Sequence, residues 1–309
     1  MKQPSSPPRW RRACAAIALL LAGTATNAAS LELIKSPDGV LLCVFETGNP
    51  EGNTIVFLHG FSQSHAVFKR QYAGALAKAY RLVGIDLRGH GCSGKPSDEA
   101  AYATAETWAR DLQAVFTAKQ IERPLVVAWS FGAYVVADYV RTFDADRLAG
   151  AALVGSTAAL LPPDVDPAAK RRRAAAPPPG VESGLELERA IRDADGFARL
   201  MSARPLDADL AAIMRSGTLQ LPMYAGAVMT KRELRNDDLV ARFTLPTLFL
   251  VGSQDRANPP ELMDRLAGEL RAARVVRFPE SGHSPFAEDP GHFDSAVDAF
   301  AREVFRDRR

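Results

Sequence analysis

The 309-residue sequence holds only three cysteines, Cys14, Cys43 and Cys92, and five histidines. That supply cannot furnish a cysteine-based metal centre, and no histidine pair has the HExxH spacing of a metal-dependent hydrolase. No metal or other cofactor is therefore expected. Long apolar runs are missing from the interior of the chain, where nothing approaches the roughly 18 residues a membrane-crossing helix needs. No repeat of fixed period occurs, which excludes solenoids and propellers. Dense charge of one sign is confined to KRRR at 170–173, a pattern typical of a solvated face, so nucleic-acid binding is not expected. What remains is ordinary for a globular protein: 47% apolar and 24% charged residues, enough for one sizeable core with an inserted subdomain.

The N-terminal region departs from this plain background. A basic, proline-rich MKQPSSPPRWRR precedes the short apolar ACAAIALLLAGTA, and TNAAS then supplies small residues. This order describes a secretory signal peptide cleaved near Ala28 or Ala29, so residues 1–29 are expected to leave a periplasmic or secreted protein. An uncleaved anchor fits less well because the apolar core is short. Arg11 and Arg12 form a pair, but the residues after them fit a twin-arginine signal poorly, and these arginines precede Cys14 where a lipoprotein signal needs apolar residues. Cleavage would remove four basic residues and no acidic one, taking 38 basic residues to 34 against 36 acidic and the net charge to −2. The basic isoelectric point of the full chain then says little about partners. Cys43 and Cys92 would remain, either as one disulfide or as two buried thiols, since sequence alone gives no distance between them.

Strand and helix signals alternate along the rest. LELIK, SPDG and VLLCVFE make a hairpin over 31–46, TIVFLHG a buried strand, AVFKRQYAGALAKAY (66–80) a helix and RLVGIDL a strand. TAETWARDLQAVFTAKQ (104–120) is an amphipathic helix with cap chemistry at Thr104. RPLVVAWS is a strand running into the helix FGAYVVADYVRTF, and LAGAALVGS (148–156) is the next strand. From 157 to 244 the alternation fails, yet the stretch has enough Leu, Ile, Met and Phe to pack. It is expected to be an inserted helical cap on a core formed by 30–156 and 245–309. LPTLFLVGSQD, a helix at 260–271, ARVVRFPESGHS and a terminal helix from about 290 complete the pattern. Continuously apolar strands alternating with helices predict an α/β fold with a mostly parallel sheet covered on both faces.

Ligands in such sheets bind beyond the carboxyl ends of the strands. Four predicted strands end there in suggestive residues: His59–Gly60–Phe61, Ser130, Asp255 and His283. Together with GIDLRGHGCSGKP and SGHSPFAEDP, these stretches resemble the α/β-hydrolase superfamily, nearest its esterase and cofactor-free haloperoxidase-like branch. The likeness covers essentially the whole chain after residue 29. Serine, aspartate and histidine follow in the order of that superfamily's triad. The resemblance implies Ser130 as nucleophile, His283 as base and then acid, and Asp255 as the carboxylate orienting it. It further implies that the backbone N–H groups of Phe61 and Phe131 form an oxyanion hole, with the Phe61, Trp129 and Phe131 side chains walling the acyl pocket.

One departure concerns the G-x-S-x-G elbow, written here A-W-S-F-G: Ala128 replaces the first glycine, and Ala133 stands where another glycine often follows. The chain doubles back at such an elbow, so flanking side chains must be small, and a single methyl is tolerable. Other candidates are weighed differently. His59 and His90 are expected to brace loops, His65 to line the pocket or an exposed loop, and His292 to lie at the surface. Asp86 is read as scaffold, and Glu280 or Glu288 as fallback acids. The expected activity is ester cleavage on a small-molecule substrate through an acyl-enzyme. The alternatives are perhydrolase, lactonase or proline iminopeptidase activity and a non-catalytic ligand-binding scaffold. A peptidase of that kind would need acidic cap residues, for which Glu182, Glu186 and Glu188 are present.

Overall fold

The computed structural model describes residues 27–166, 184–232 and 234–306. Most of the expected signal peptide, the KRRR run and Glu182 lie outside the described residues, as does the side chain of Glu186. Eight strands form one sheet: β1 (Asn27–Lys35), β2 (Leu41–Gly48), β3 (Thr54–Leu58), β4 (Arg81–Ile85), β5 (Leu125–Trp129), β6 (Gly150–Val154), β7 (Thr247–Gly252) and β8 (Ala273–Phe278). Their spatial order is β1-β2-β4-β3-β5-β6-β7-β8. The β1–β2 and β2–β4 pairings are antiparallel, and every pairing from β4 onward is parallel. This is the mostly parallel α/β sheet that the apolar strands predict.

Strand periodicity explains how the sheet is covered. Along β5, Val126 and Ala128 point to the side packed by α1 (Ala105–Ala118) and α2 (Phe131–Phe143). Leu125, Val127 and Trp129 point to the opposite side, where the C-terminal helix packs Phe293, Val297 and Phe300. A central strand with both faces covered has no polar face to show, so β5, β6 and β7 are buried at every position. The edge strand β8 is only partly buried and carries Arg274 and Arg277, charges that discourage pairing with another chain.

Helix caps follow their chemistry. The Thr104 side chain accepts from the Thr107 N–H, starting α1 one residue later as its sequence predicts. Between β6 and β7 lie α3 (Gly184–Leu200), α4 (Ala208–Gln220) and α5 (Met223–Lys231). After β7 comes α6 (Pro260–Glu269), and α7 (Pro290–Arg306) closes the described chain.

One expectation needs correction. Residues 66–80 are not one helix but a 3-10 turn at His65–Phe68 and two single-turn helices, Lys69–Tyr72 and Leu76–Ala79. Gly74 sits at the break, where a Cβ would collide with the carboxylate of Asp294 and lie 2.8 Å from Arg70 O. The segment breaks at Gly74, where α7 approaches closely.

Candidate functional site

Ser130 occupies the single residue between β5 and α2, at φ 50° and ψ −110°. Positive φ in a residue with a Cβ costs on the order of 1–3 kcal/mol and persists only where neighbours enforce it. Here the Ser130 N–H donates to Val154 O of β6 at 2.9 Å, and its carbonyl accepts from Ala133 N at 3.1 Å. Gly132 permits the tight turn: a Cβ there would lie 2.7 Å from Leu58 O and 3.0 Å from His59 O. The crowding that demands glycine therefore comes from the end of β3. Ala128 is fully buried and paired with Leu58 and Leu153, its methyl absorbed into the core.

The candidate acid and base stand on neighbouring loops after β7 and β8. His283 Nδ1 lies 2.7 Å from Asp255 Oδ2, with both side chains buried. The other carboxylate oxygen of Asp255 accepts the N–H groups of Ala257 at 2.8 Å and Asn258 at 2.9 Å. A carboxylate so held keeps one oxygen for the imidazole. Gly155, at φ +57°, lets the pair settle close by, since a Cβ there would lie 2.8 Å from His283 Nδ1. Asn258 Nδ2 donates to Gly155 O at 2.5 Å and fixes that backbone. Trp129 Nε1 donates to His283 O at 2.8 Å, and its indole packs against the imidazole at 5.6 Å.

Ser130 and His283 line one cavity of about 480 Å³ together with Gly60, Phe61, Trp129 and Phe131. All three aromatic residues expected at the pocket thus meet there. Phe197, Leu200 and Met201 of the insert, with Met229 and Leu234, supply the opposite wall. Such a volume with mostly apolar lining suits a small organic ligand. Phe131 is the first residue of α2, so its N–H lies among those without a partner inside the helix, at the helix's positive end. Gly60 keeps the Phe61 loop close to the elbow, because a Cβ there would lie 3.3 Å from Ser130 Cβ.

The remaining histidines have other tasks. His59 Nε2 accepts the Leu87 N–H at 3.0 Å and Nδ1 donates to Gly60 O at 2.8 Å, so neither nitrogen is free. His90 Nδ1 donates to Arg88 O at 3.0 Å, while its ring packs near His59, Phe61 and Phe131. Burial lowers the His59 pKa to about 4 and that of His90 to about 3, keeping both neutral. His65 is not among the cavity residues. It pairs with Asp86, whose Oδ1 lies 2.8 Å from Nδ1 and also accepts the His65 N–H. Asp86 takes the Cys92 N–H as well, as a scaffold residue should. His292 is exposed near Asp289.

Cys43 and Cys92 form a disulfide, with Cα atoms 5.5 Å apart, joining β2 to the loop after β4. Asp86 approaches both sulfurs, but a disulfide offers no thiolate to a metal. Two contributions escaped sequence reasoning: Asn258, whose side chain ties the turn after Asp255 to Gly155 O, and Glu288, which accepts backbone N–H groups rather than serving as acid to the imidazole. The spacing of Asn258 three residues after Asp255 is the usual signal of side-chain capping, though strand-end loops show it often.

The chain is 27% identical over 274 residues to the AB hydrolase superfamily protein YisY of Bacillus subtilis, covering 87% of this chain and 98% of that one. Among solved structures, it resembles the esterase RhEst1 from Rhodococcus sp. ECU1013 with TM-score 0.76 and 27% identity, over 89% of this chain and 99% of that one. A thermophilic esterase from Thermogutta terrifontis gives TM-score 0.71 and 27% identity, again over 89% and 99%. A family model described as the alpha/beta hydrolase family matches residues 55–293, which include every residue of the site. The chain belongs to the alpha/beta hydrolase family.

Proposed function

We propose that this protein is an exported serine hydrolase that cleaves carboxylic esters through Ser130, His283 and Asp255. The observation that carries the reading is the 2.7 Å bond from His283 Nδ1 to Asp255 at the edge of a cavity shared with Ser130. With Nδ1–H donated to the carboxylate, Nε2 is the basic nitrogen. It takes the Ser130 proton as Oγ attacks the ester carbonyl, and Asp255 stabilises the imidazolium that forms. The carbonyl oxygen becomes an oxyanion, for which the N–H groups of Phe61 and Phe131 are the donors. Collapse expels the alcohol, which takes the proton from Nε2. Water then repeats the sequence on the acyl-serine, releasing acid and restoring Ser130.

Kinship with two esterases at 27% identity over most of both chains favours esters over other acyl substrates. Among the described residues, the cavity wall offers no carboxylate to hold an ammonium group. Glu188 is exposed and lies 3.7 Å from Arg192. Export is supported by the Cys43–Cys92 disulfide, a bond that persists in oxidising compartments. Regular pairing of β1 resumes at Ser30↔Glu46 after a shift, so cleavage after Ala29 would leave the hairpin its main register.

The test is reaction with a serine-directed phosphonate followed by peptide mapping, beside an ester panel for wild type and Ser130→Ala. One phosphonyl group on Ser130 is expected, with hydrolysis lost in the variant. Esterase turnover surviving in folded Ser130→Ala would reject the reading.

A further inference from the structure

The turn that ends α3 is gripped from both catalytic loops. From the loop after β7, Arg256 Nη2 donates to Arg199 O and to Ser202 O, each at 2.9 Å. From the loop after β8, Ser284 Oγ donates to Met201 O. Glu288 forms the third connection, and its two carboxylate oxygens bind one side each. Its Oε1 accepts the Gly282 N–H at 2.8 Å, immediately before His283. Its Oε2 accepts the Ala203 N–H at 2.8 Å and the Arg204 N–H at 3.4 Å. The two backbones are almost in contact, since a Cβ on Gly282 would lie 2.6 Å from Ala203 N and 2.8 Å from the Ser202 carbonyl carbon.

Burial raises the Glu288 carboxyl pKa, opposed by those three N–H donors. A half-buried acid satisfied by backbone donors on two separate segments is a costly way to hold a surface loop. It is a direct way to fix one segment relative to another. Leu200 and Met201, on the gripped turn, are also cavity wall.

We propose that Glu288 is a positioning residue that sets the orientation of His283 and makes it depend on docking of the α3 turn. The proposal rests on His283 being the general base. Oε1 holds the N–H of Gly282, the residue before His283, and Oε2 holds the turn that walls the cavity. The same side chain therefore registers the base against the substrate's enclosure. Misplacing a catalytic group by about 1 Å costs roughly 100-fold in rate, so losing this registration should appear in turnover more than in substrate affinity.

The experiment compares wild type, Glu288→Ala, Glu288→Gln and Ser130→Ala, with active sites titrated by the phosphonate and turnover expressed per titrated site. Hydrogen exchange is followed at 199–204 and 282–284. Glu288→Ala is expected to lower kcat per site about 10- to 100-fold with KM changed less than about threefold, and to speed exchange in both segments. Glu288→Gln, which retains one acceptor and carries the test should the alanine variant not fold, should fall in the same direction. Wild-type kcat per site in a folded variant, or faster exchange in one segment alone, would overturn the positioning role while leaving the hydrolase reading intact. Failure of the wild type to be titrated at Ser130, or activity in Ser130→Ala, would remove the hydrolase reading and this proposal with it.

Discussion

Three buried histidines of similar burial have different partners, and those partners predict different responses to mutation. His283 gives one nitrogen to Asp255 and, on the proposed mechanism, keeps the other for chemistry, whereas both nitrogens of His59 are occupied by backbone. His283→Ala should lower kcat by several orders of magnitude, about a millionfold in the well-studied subtilisin case, with the unfolding midpoint little changed. His59→Ala and His90→Ala should instead lower stability by about 1–3 kcal/mol, seen in urea unfolding beside kcat. A pH effect accompanies this. Unfolded histidine takes up a proton near pH 6.5, but folded His59 does so only near pH 4 and folded His90 near pH 3. Their contribution to stability is therefore full above about pH 6.5 and is lost as the pH falls toward those values. Urea unfolding at pH 7 and pH 5 should show the loss, and His90→Phe should shallow it.

At the scale of elements, the insert divides its labour. The body of α3 presents Phe197 to the cavity, while its final turn carries the contacts to Arg256, Ser284 and Glu288. Phe197→Ala should enlarge the acyl or alcohol space, raising kcat/KM for bulky esters relative to acetyl esters by several-fold or more. An unchanged ranking across an ester panel would show that α3 does not set selectivity. The sheet was readable because burial on both faces forces continuous apolar strands such as VVAW and TLFLVG. The positions of Ser130, Asp255 and His283 followed from where those strands stop. The interruption of 66–80 was not readable, because the close approach at Gly74 comes from Asp294, more than 200 residues away. Glu288 was visible only as a spare acid: its partners are backbone N–H groups, which any residue but proline supplies, so their identities do not announce it. The disulfide remained open for a similar reason, since pairing depends on a distance that only the β2–β4 register supplies.

For the molecule as a whole, the disulfide ties the antiparallel end of the sheet to the loop that bears His90. Closing a loop with a sequence separation of 49 restricts the unfolded chain enough to contribute about 4 kcal/mol. Cys43→Ser should lower unfolding stability by up to that amount, measured against wild type under non-reducing conditions. On the proposed export, intact mass of the protein recovered from the periplasm or medium should show both the oxidised pair and a chain beginning near Ser30; a product retaining Met1 would count against cleavage.

The sheet also imposes an order in time. Ser130 follows β5 in the middle of the sheet, but Asp255 and His283 follow β7 and β8, the last strands made and the outermost on that side. A ribosome delivers the serine some 150 residues before the imidazole, and Glu288 later still. On the proposed mechanism, a chain that has assembled only β1 to β6 holds its serine without a base. On that mechanism hydrolytic competence waits for the last strand of the sheet, the one that delivers His283, in whichever compartment the chain folds.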